Sequence, residues 1–223
     1  MAAAERNGHT EAMAEPPTER GRETRDAILA CAARLFHQRG VKATSVEDVL
    51  AAAGAGKGQF YRYFASKSEL VGAVVDHQVE RYLAPQRNAL ERLEDWSDLE
   101  RYLTDLADRH EQRRFAGGCP LGSLAVELSG RDENLHAQLA EALAEWQASL
   151  TAGLRRLTRS GHIREDAPLE RLATATLASI QGAYLLATVH ADREVMDDAL
   201  AETVGNLRRH APIGDDPTRN DTD

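Results

Sequence analysis

Lys57-Gly58-Gln59-Phe60-Tyr61-Arg62-Tyr63 is a short run in which polar and aromatic residues alternate in a way that suits contact with a nucleic-acid duplex. A glutamine amide can bond adenine in the major groove, and a lysine ammonium can reach guanine O6 and N7 or a phosphate. Tyrosine hydroxyls and rings serve phosphate and base-edge contact better than they serve a plain solvated face. Phe60 and Phe64 lie four positions apart, one helical turn, and are expected to point inward. Lys57, Gln59, Tyr61 and Tyr63 are then expected to face out. Gly56 and Gly58 would let backbone approach a partner closely. Thr44, expected near a helix N-terminus, could hold a phosphate with its hydroxyl and neighbouring N–H groups. Lys67 is a second phosphate candidate.

Other chemistries find no support. Gly56-Lys57-Gly58 lacks both the earlier glycine and the following Ser or Thr of a phosphate-binding loop, and it follows a helical pattern. His110-Glu111 has no second His where a zinc protease needs one. No Gly-x-Ser-x-Gly elbow occurs. The eight His show no ligand spacing, and Cys31 and Cys119 are too few and too far apart for a disulfide framework or a Cys-x-x-Cys zinc site. No catalytic residue, metal or cofactor is expected.

Charge is divided unevenly along the 223 residues. The chain as a whole carries −9. Residues 20–67 nevertheless hold nine Lys and Arg against four acids, and all three lysines of the chain fall there. A small basic domain joined to a larger acidic body is the layout of a nucleic-acid reader with a separate regulatory part. The acidic body would repel DNA and leave the basic end to meet it. No run of about 18 apolar residues marks a membrane span, and the first residues lack the apolar region of a secretory signal. A cytoplasmic, reduced protein that does not engage membranes is expected.

The elements that must carry these residues are helical. Ala and Leu dominate, aromatics are only 5 %, and the apolar spacing is that of helices. Ile28, Ala32, Leu35 and Phe36 form one stripe that ends at Gly40. Thr44 or Ser45 caps a second helix that stops at Gly54, and a short third helix spans about 57–64. Two helices joined by Ala53-Gly54-Ala55 make a helix-turn-helix pattern. Ser66 with Glu69 reads as a capping box for a fourth helix, which Pro85 is expected to bend or end. Ser97 or Asp98 opens the next. Gly117-Gly118 breaks the chain before Cys119-Pro120, and a long leucine-rich helix runs from Asp132 to Gly161. Two more span about 168–190 and 193–209. The fold expected is all-α with about nine helices. It divides into a disordered tail (1–20), a three-helix DNA-binding domain (21–67), an α-helical ligand-binding and dimerisation domain (68–211) and an acidic tail (212–223).

Thr24-Arg-Asp-Ala-Ile-Leu, Leu35-Phe-His-Gln-Arg-Gly40, Thr44-Ser-Val-Glu-Asp-Val49, Ala53-Gly-Ala-Gly-Lys-Gly58 and Phe60-Tyr-Arg-Tyr-Phe64-x-Ser-Lys67 closely resemble the N-terminal domain of TetR-family transcriptional regulators. The resemblance implies that Thr44, Lys57, Gly58, Gln59, Tyr61, Tyr63 and Lys67 fall on DNA-contacting positions. It departs at Leu50, where Ile is common, and at Gln59, often Thr or Ser, which would alter base preference. It also implies a homodimer that binds double-stranded DNA at a pseudo-palindromic operator in the bacterial nucleoid, and a small molecule that shifts the fourth helix. Repression is the expected mode.

In the body, the 168–190 helix is apolar nearly all round and is expected to pair with 193–209 in a four-helix dimer interface. Gly118–Leu128 resembles a stretch in a subgroup that answers to small lipophilic or electrophilic compounds, so a lipophilic effector is expected. Tyr102, Trp146 and Tyr184 could shape its site, Gln181 could orient it, and Cys119 could border it. Cys119 sits at a helix N-terminus, which lowers a thiol pKa, and Arg113 and Arg114 lie near in sequence. It reads either as a redox or electrophile sensor or as a small buried hydrophobe. Cys31 reads as structural.

Overall fold

A computed structural model describes residues 18–212. Almost all of the tails expected at 1–20 and 212–223 lies outside that range. Among the described residues there are nine α-helices and no strand: α1 (Glu19–Arg39), α2 (Val46–Ala53), α3 (Lys57–Tyr63), α4 (Lys67–Leu90), α5 (Trp96–Gln112), α6 (Pro120–Leu128), α7 (Glu133–Arg159), α8 (Leu169–His190) and α9 (Glu194–Arg208).

Local chemistry sets most of the boundaries. Ser45 rather than Thr44 caps α2, in a box where its hydroxyl accepts from Asp48 N (3.1 Å) and Asp48 Oδ2 accepts from Ser45 N (2.9 Å). Gly54 ends α2 at φ +63, a left-handed turn that glycine adopts without strain. Ser66 caps α4 through Glu69 N, but the Glu69 carboxylate reaches Ala65 N instead of closing the box on Ser66. Pro85 does not end α4, which continues to Leu90. Flanking packing holds the helix where propensity alone would break it, since Tyr82, Leu83, Gln86 and Leu90 are all buried. Asp95 caps α5 through Asp98 N (3.0 Å), so the helix opens at Trp96, ahead of the expected Ser97 or Asp98.

The three N-terminal helices and the start of α4 share a core built of Ile28, Leu35, Phe36, Val49, Phe60, Phe64, Leu70 and Val74. The body packs α7 against α4, α6 and α8, with α9 laid on α8 and α5. α8 is long and apolar enough by length and composition to cross a bilayer, although no 18-residue apolar run marks it in the sequence. Its residues Leu172, Ala173, Ile180, Ala183, Tyr184 and Ala187 are buried within the protein.

His110 sits in the centre of the body. Its ring lies edge-on to Tyr184 and Phe115. Thr188 Oγ1 donates to Tyr184 O (2.7 Å), which leaves that hydroxyl to accept from His110 Nε2 (3.1 Å) and fixes the tautomer. Burial, reinforced by the Arg113 charge, pushes the His110 pKa down to about 4. His37 is lowered by the same two causes. The unfolded chain therefore binds protons first as pH falls below about 6.5, and stability drops between there and about 4 while staying level above. Thermal melts across that window are expected to show the fall, and His110→Phe is expected to make it shallower; equal slopes would remove His110 as its source.

Candidate nucleic-acid interface

α3 is a seven-residue rod held by its aromatics. Phe60 and Phe64 are fully buried with ring centroids 5.5 Å apart, and Arg25 of α1 lies over the Phe64 ring at 5.7 Å. Rolling those rings inward turns Lys57, Gly58, Gln59, Tyr61 and Arg62 to the outside. Tyr61 is 63 % exposed, an uncommon state for a large aromatic side chain in this chain. A helix of this size fits the major groove of a duplex, which is about 12 Å wide.

The exposed side chains are held loosely. Lys57 Nζ pairs with Glu47 Oε1 on α2 at 3.0 Å, with both side chains largely in solvent. That hydrogen bond raises the Lys57 pKa and lowers that of Glu47. An exposed pair of this kind is readily exchanged for a phosphate. Gln59 Oε1 accepts from Gly56 N at 2.8 Å and so caps the helix that carries it. A Cβ at Gly58 would meet nothing within 4 Å. No internal contact requires glycine there.

Two expected contact residues are placed differently, and a third, Lys67, opens α4 as expected but bonds within the protein. Tyr63 is buried, not outward, because it follows Phe60 by three positions and shares its inner face. Thr44 is fully buried, and its hydroxyl donates to Gly40 O at 2.8 Å, which removes it from solvent. Lys67 donates from Nζ to Val41 O at 2.7 Å, bracing the α1–α2 loop. Arg62, which the pattern of α3 did not single out, is exposed beside Tyr61. Its position two residues before the buried Phe64 was the available signal.

The loop between α1 and α2 has a second brace, from the body. Glu127 on α6 accepts from Val41 N (2.8 Å) and from Lys42 N (3.0 Å). Gly40, at φ +83, lies beneath the same carboxylate, where a Cβ would come within 3.1 Å of Glu127 Oε1. Nothing in the sequence spacing marks this link, which joins residues far apart in the chain.

The five residues expected to line an effector site gather in the body but bond to one another and to their neighbours. Trp146 Nε1 donates to Tyr102 OH (2.8 Å), and the Tyr184 and Tyr82 hydroxyls lie 2.9 Å apart. Cys119 is buried, and its sulfur accepts from Gly122 N and from Gln181 Nε2, both at 3.5 Å. Burial pushes its thiol pKa up, against the lowering that the helix N-terminus alone would give. The thiol is a packed acceptor rather than an exposed thiolate, the arrangement of the buried-hydrophobe alternative.

Comparison with known proteins agrees with the geometry. Residues 28–74 match the family model described as bacterial regulatory proteins, tetR family, and residues 96–203 match a tetracyclin repressor-like C-terminal domain. An uncharacterized HTH-type transcriptional regulator from the lacX 3' region of Lactococcus lactis subsp. lactis is 32 % identical over 178 residues, covering 79 % of this chain and 89 % of that protein. The HTH-type transcriptional repressor DhaR of Mycobacterium sp. (strain GP1) is 29 % identical over 181 residues, with 79 % and 88 % covered. The solved regulatory protein TetR from Rhodobacter sphaeroides superposes with a TM-score of 0.73 at 22 % identity, over 84 % of this chain and 98 % of that one.

Gly58→Ala is expected to raise helix stability by up to about 1 kcal/mol. The same change is expected to weaken duplex binding by filling the open face. A raised melting temperature with unchanged or higher DNA affinity would show that Gly58 lies away from the contact surface.

Proposed function

The chain belongs to the TetR family of bacterial transcriptional regulators, and from that premise we propose that it is a homodimeric repressor that leaves a palindromic operator when a small molecule binds its body. It is a DNA-binding regulator and not an enzyme. The observation that carries the reading is the exposed face of α3, where Lys57, Gly58, Gln59, Tyr61 and Arg62 surround a buried pair of phenylalanines. Tyr61 and Lys57 are assigned to phosphate and base edges, and Gln59 to base readout once its cap on Gly56 is released. Thr44, Tyr63 and Lys67, all on family contact positions, act here by shaping the loop and helix that present the others. A repressor role is supported by the named role of the DhaR relative.

Dimerisation is supported by α8. Leu185 is 63 % and Val189 70 % exposed, and Leu186 is exposed with them, on the same helix whose opposite face is core. A two-fold pairing of this apolar face would cover it and place two α3 helices in successive major grooves. Half-sites would then stand about 34–36 Å apart or a multiple of that. The proposed place of action is the cytoplasm, on the nucleoid.

Selection of bound duplexes from a random pool, at two salt concentrations and with protein refolded free of ligand, is expected to return an inverted repeat. Lys57→Ala and Tyr61→Ala are each expected to weaken binding to that repeat at unchanged melting temperature, and the lysine change to reduce the salt slope by about one unit. Recovery of no repeat overturns the reading. A fall in melting temperature for either variant would place its side chain in the core.

A further inference from the structure

A cleft of about 620 Å³ opens where α1, α4 and the C-terminal end of α5 with its following loop meet. The aromatic cluster around Trp146 does not line it, apart from Tyr82. Arg34 of α1, Arg81 of α4, Arg109 of α5, and Arg113 and Arg114 of the loop converge on it, and no Asp or Glu is among the lining residues. The acids nearest in sequence to the loop are engaged elsewhere. Asp108 and Glu111 both bind Arg193, each at 2.7 Å. The cleft is a concentration of positive charge inside an acidic body.

Several of its polar atoms are buried and unmatched. Arg109 Nε, Arg113 Nε and Arg113 Nη2 have no hydrogen-bond partner among the described residues. Gln86, only 2 % exposed, lines the same cleft with its Oε1 unpartnered. Buried guanidinium N–H groups and amide oxygens left this way cost stability unless something else satisfies them. The guanidinium donors suit an oxyanion, and the amide oxygen suits a hydroxyl or N–H. Ala33, Pro85 and Pro120 supply apolar walls. The volume is that of a small-molecule site.

We propose that this cleft binds a small organic anion, a carboxylate or phosphate on an apolar body with one hydroxyl or N–H donor for Gln86. Its bound form ties α1 of the DNA-binding domain to the end of α5 in the body. Arg34 sits on one side of that junction and Arg109 and Arg113 on the other, so occupancy biases how the two parts sit and changes DNA affinity. The lowered pKa of His37, which follows from burial and the nearby Arg113 charge, fits the same uncompensated positive field. The effect on DNA rests on the regulator reading above, whereas the binding of the anion does not.

The test is calorimetric titration of the full chain at constant ionic strength. Salicylate and indole-3-acetate represent carboxylates, 4-hydroxyphenyl phosphate represents phosphates, and salicylamide, indole-3-acetamide and hydroquinone are their neutral counterparts. At least one anion is expected to bind ten or more times tighter than its neutral counterpart, and the class that binds identifies the source chemistry. Arg113→Gln and Arg34→Gln are each expected to weaken that anion at least tenfold, and Arg101→Gln, on the outer face of α5, to leave it unchanged. Arg34 and Arg81 are exposed. Their glutamine variants therefore carry the test if Arg113→Gln does not fold. Anions that bind no better than the neutral compounds, or binding indifferent to the cleft variants, would overturn the proposal. So would variants that weaken the selected DNA in the absence of any anion, since the arginines would then be a DNA surface. Recovery of an inverted repeat with no anion bound would leave the regulator reading intact and remove only this site.

Discussion

The peptide at Val41 is held from both sides. Its N–H is bonded to the Glu127 carboxylate of α6, and its carbonyl accepts from Lys67 at the start of α4. The Lys42 N–H bonds the second oxygen of the same carboxylate, and Thr44 closes the turn onto the Gly40 carbonyl. Bonds to a charged acceptor are about twice as strong as neutral ones. These four contacts make a rigid corner of a loop that would otherwise be a hinge between α1 and α2. The corner leads directly into α2, whose Val49 and Leu50 pack into the core beside α1. Because Glu127 belongs to the body, the corner is also where the body can act on the reader.

This accounts for the internal hydrogen bonds of Thr44 and Lys67. Read from the sequence, a threonine near a helix start and a lysine opening the next helix are phosphate candidates. In the fold both bond the loop, the Thr44 hydroxyl to Gly40 O and the Lys67 ammonium to Val41 O. α6 contributes at its other end as well. A Cβ at Gly117, just before the α6 cap, would lie 2.5 Å from the His37 carbonyl oxygen, so the loop into α6 presses on the end of α1. The arginine-lined cleft opens beside that contact, which places an anion site and a mechanical link on the same junction.

The helices were legible because most boundaries have a local cause. Ser45, Gly54, Pro120 and Asp132 act within four residues of themselves, and the apolar stripes of α1, α2 and α7 report burial directly. The inward pair Phe60 and Phe64 also gave the correct outward positions for Lys57, Gln59 and Tyr61. Tyr63 was misplaced because alternation along seven residues treats it like Tyr61, whereas a helical turn puts it beside Phe60. Of the two outcomes expected at Pro85, a bend or an end, the end does not occur, because propensity cannot weigh the packing of Leu83, Gln86 and Leu90. The Glu127 clamp and the cleft were not legible at all. Each joins residues from helices far apart in the chain, and the arginines of the cleft disappear into the acidic total of the body. Cys119 was half legible: its place at the α6 cap was readable and burial was one of its two readings, but only the fold shows that burial outweighs the helix N-terminus at the thiol.

The central claim is that Glu127 fixes the reader to the body. Residue-resolved amide hydrogen exchange on the full chain with Glu127→Ala addresses it directly, since each bond to a charged partner is worth about 1.5–3 kcal/mol. The Val41 and Lys42 amides are predicted to exchange at least ten times faster than in the unaltered chain, while amides in α8 and α9 keep their protection. Val41 and Lys42 amides that exchange as slowly as before would contradict the account.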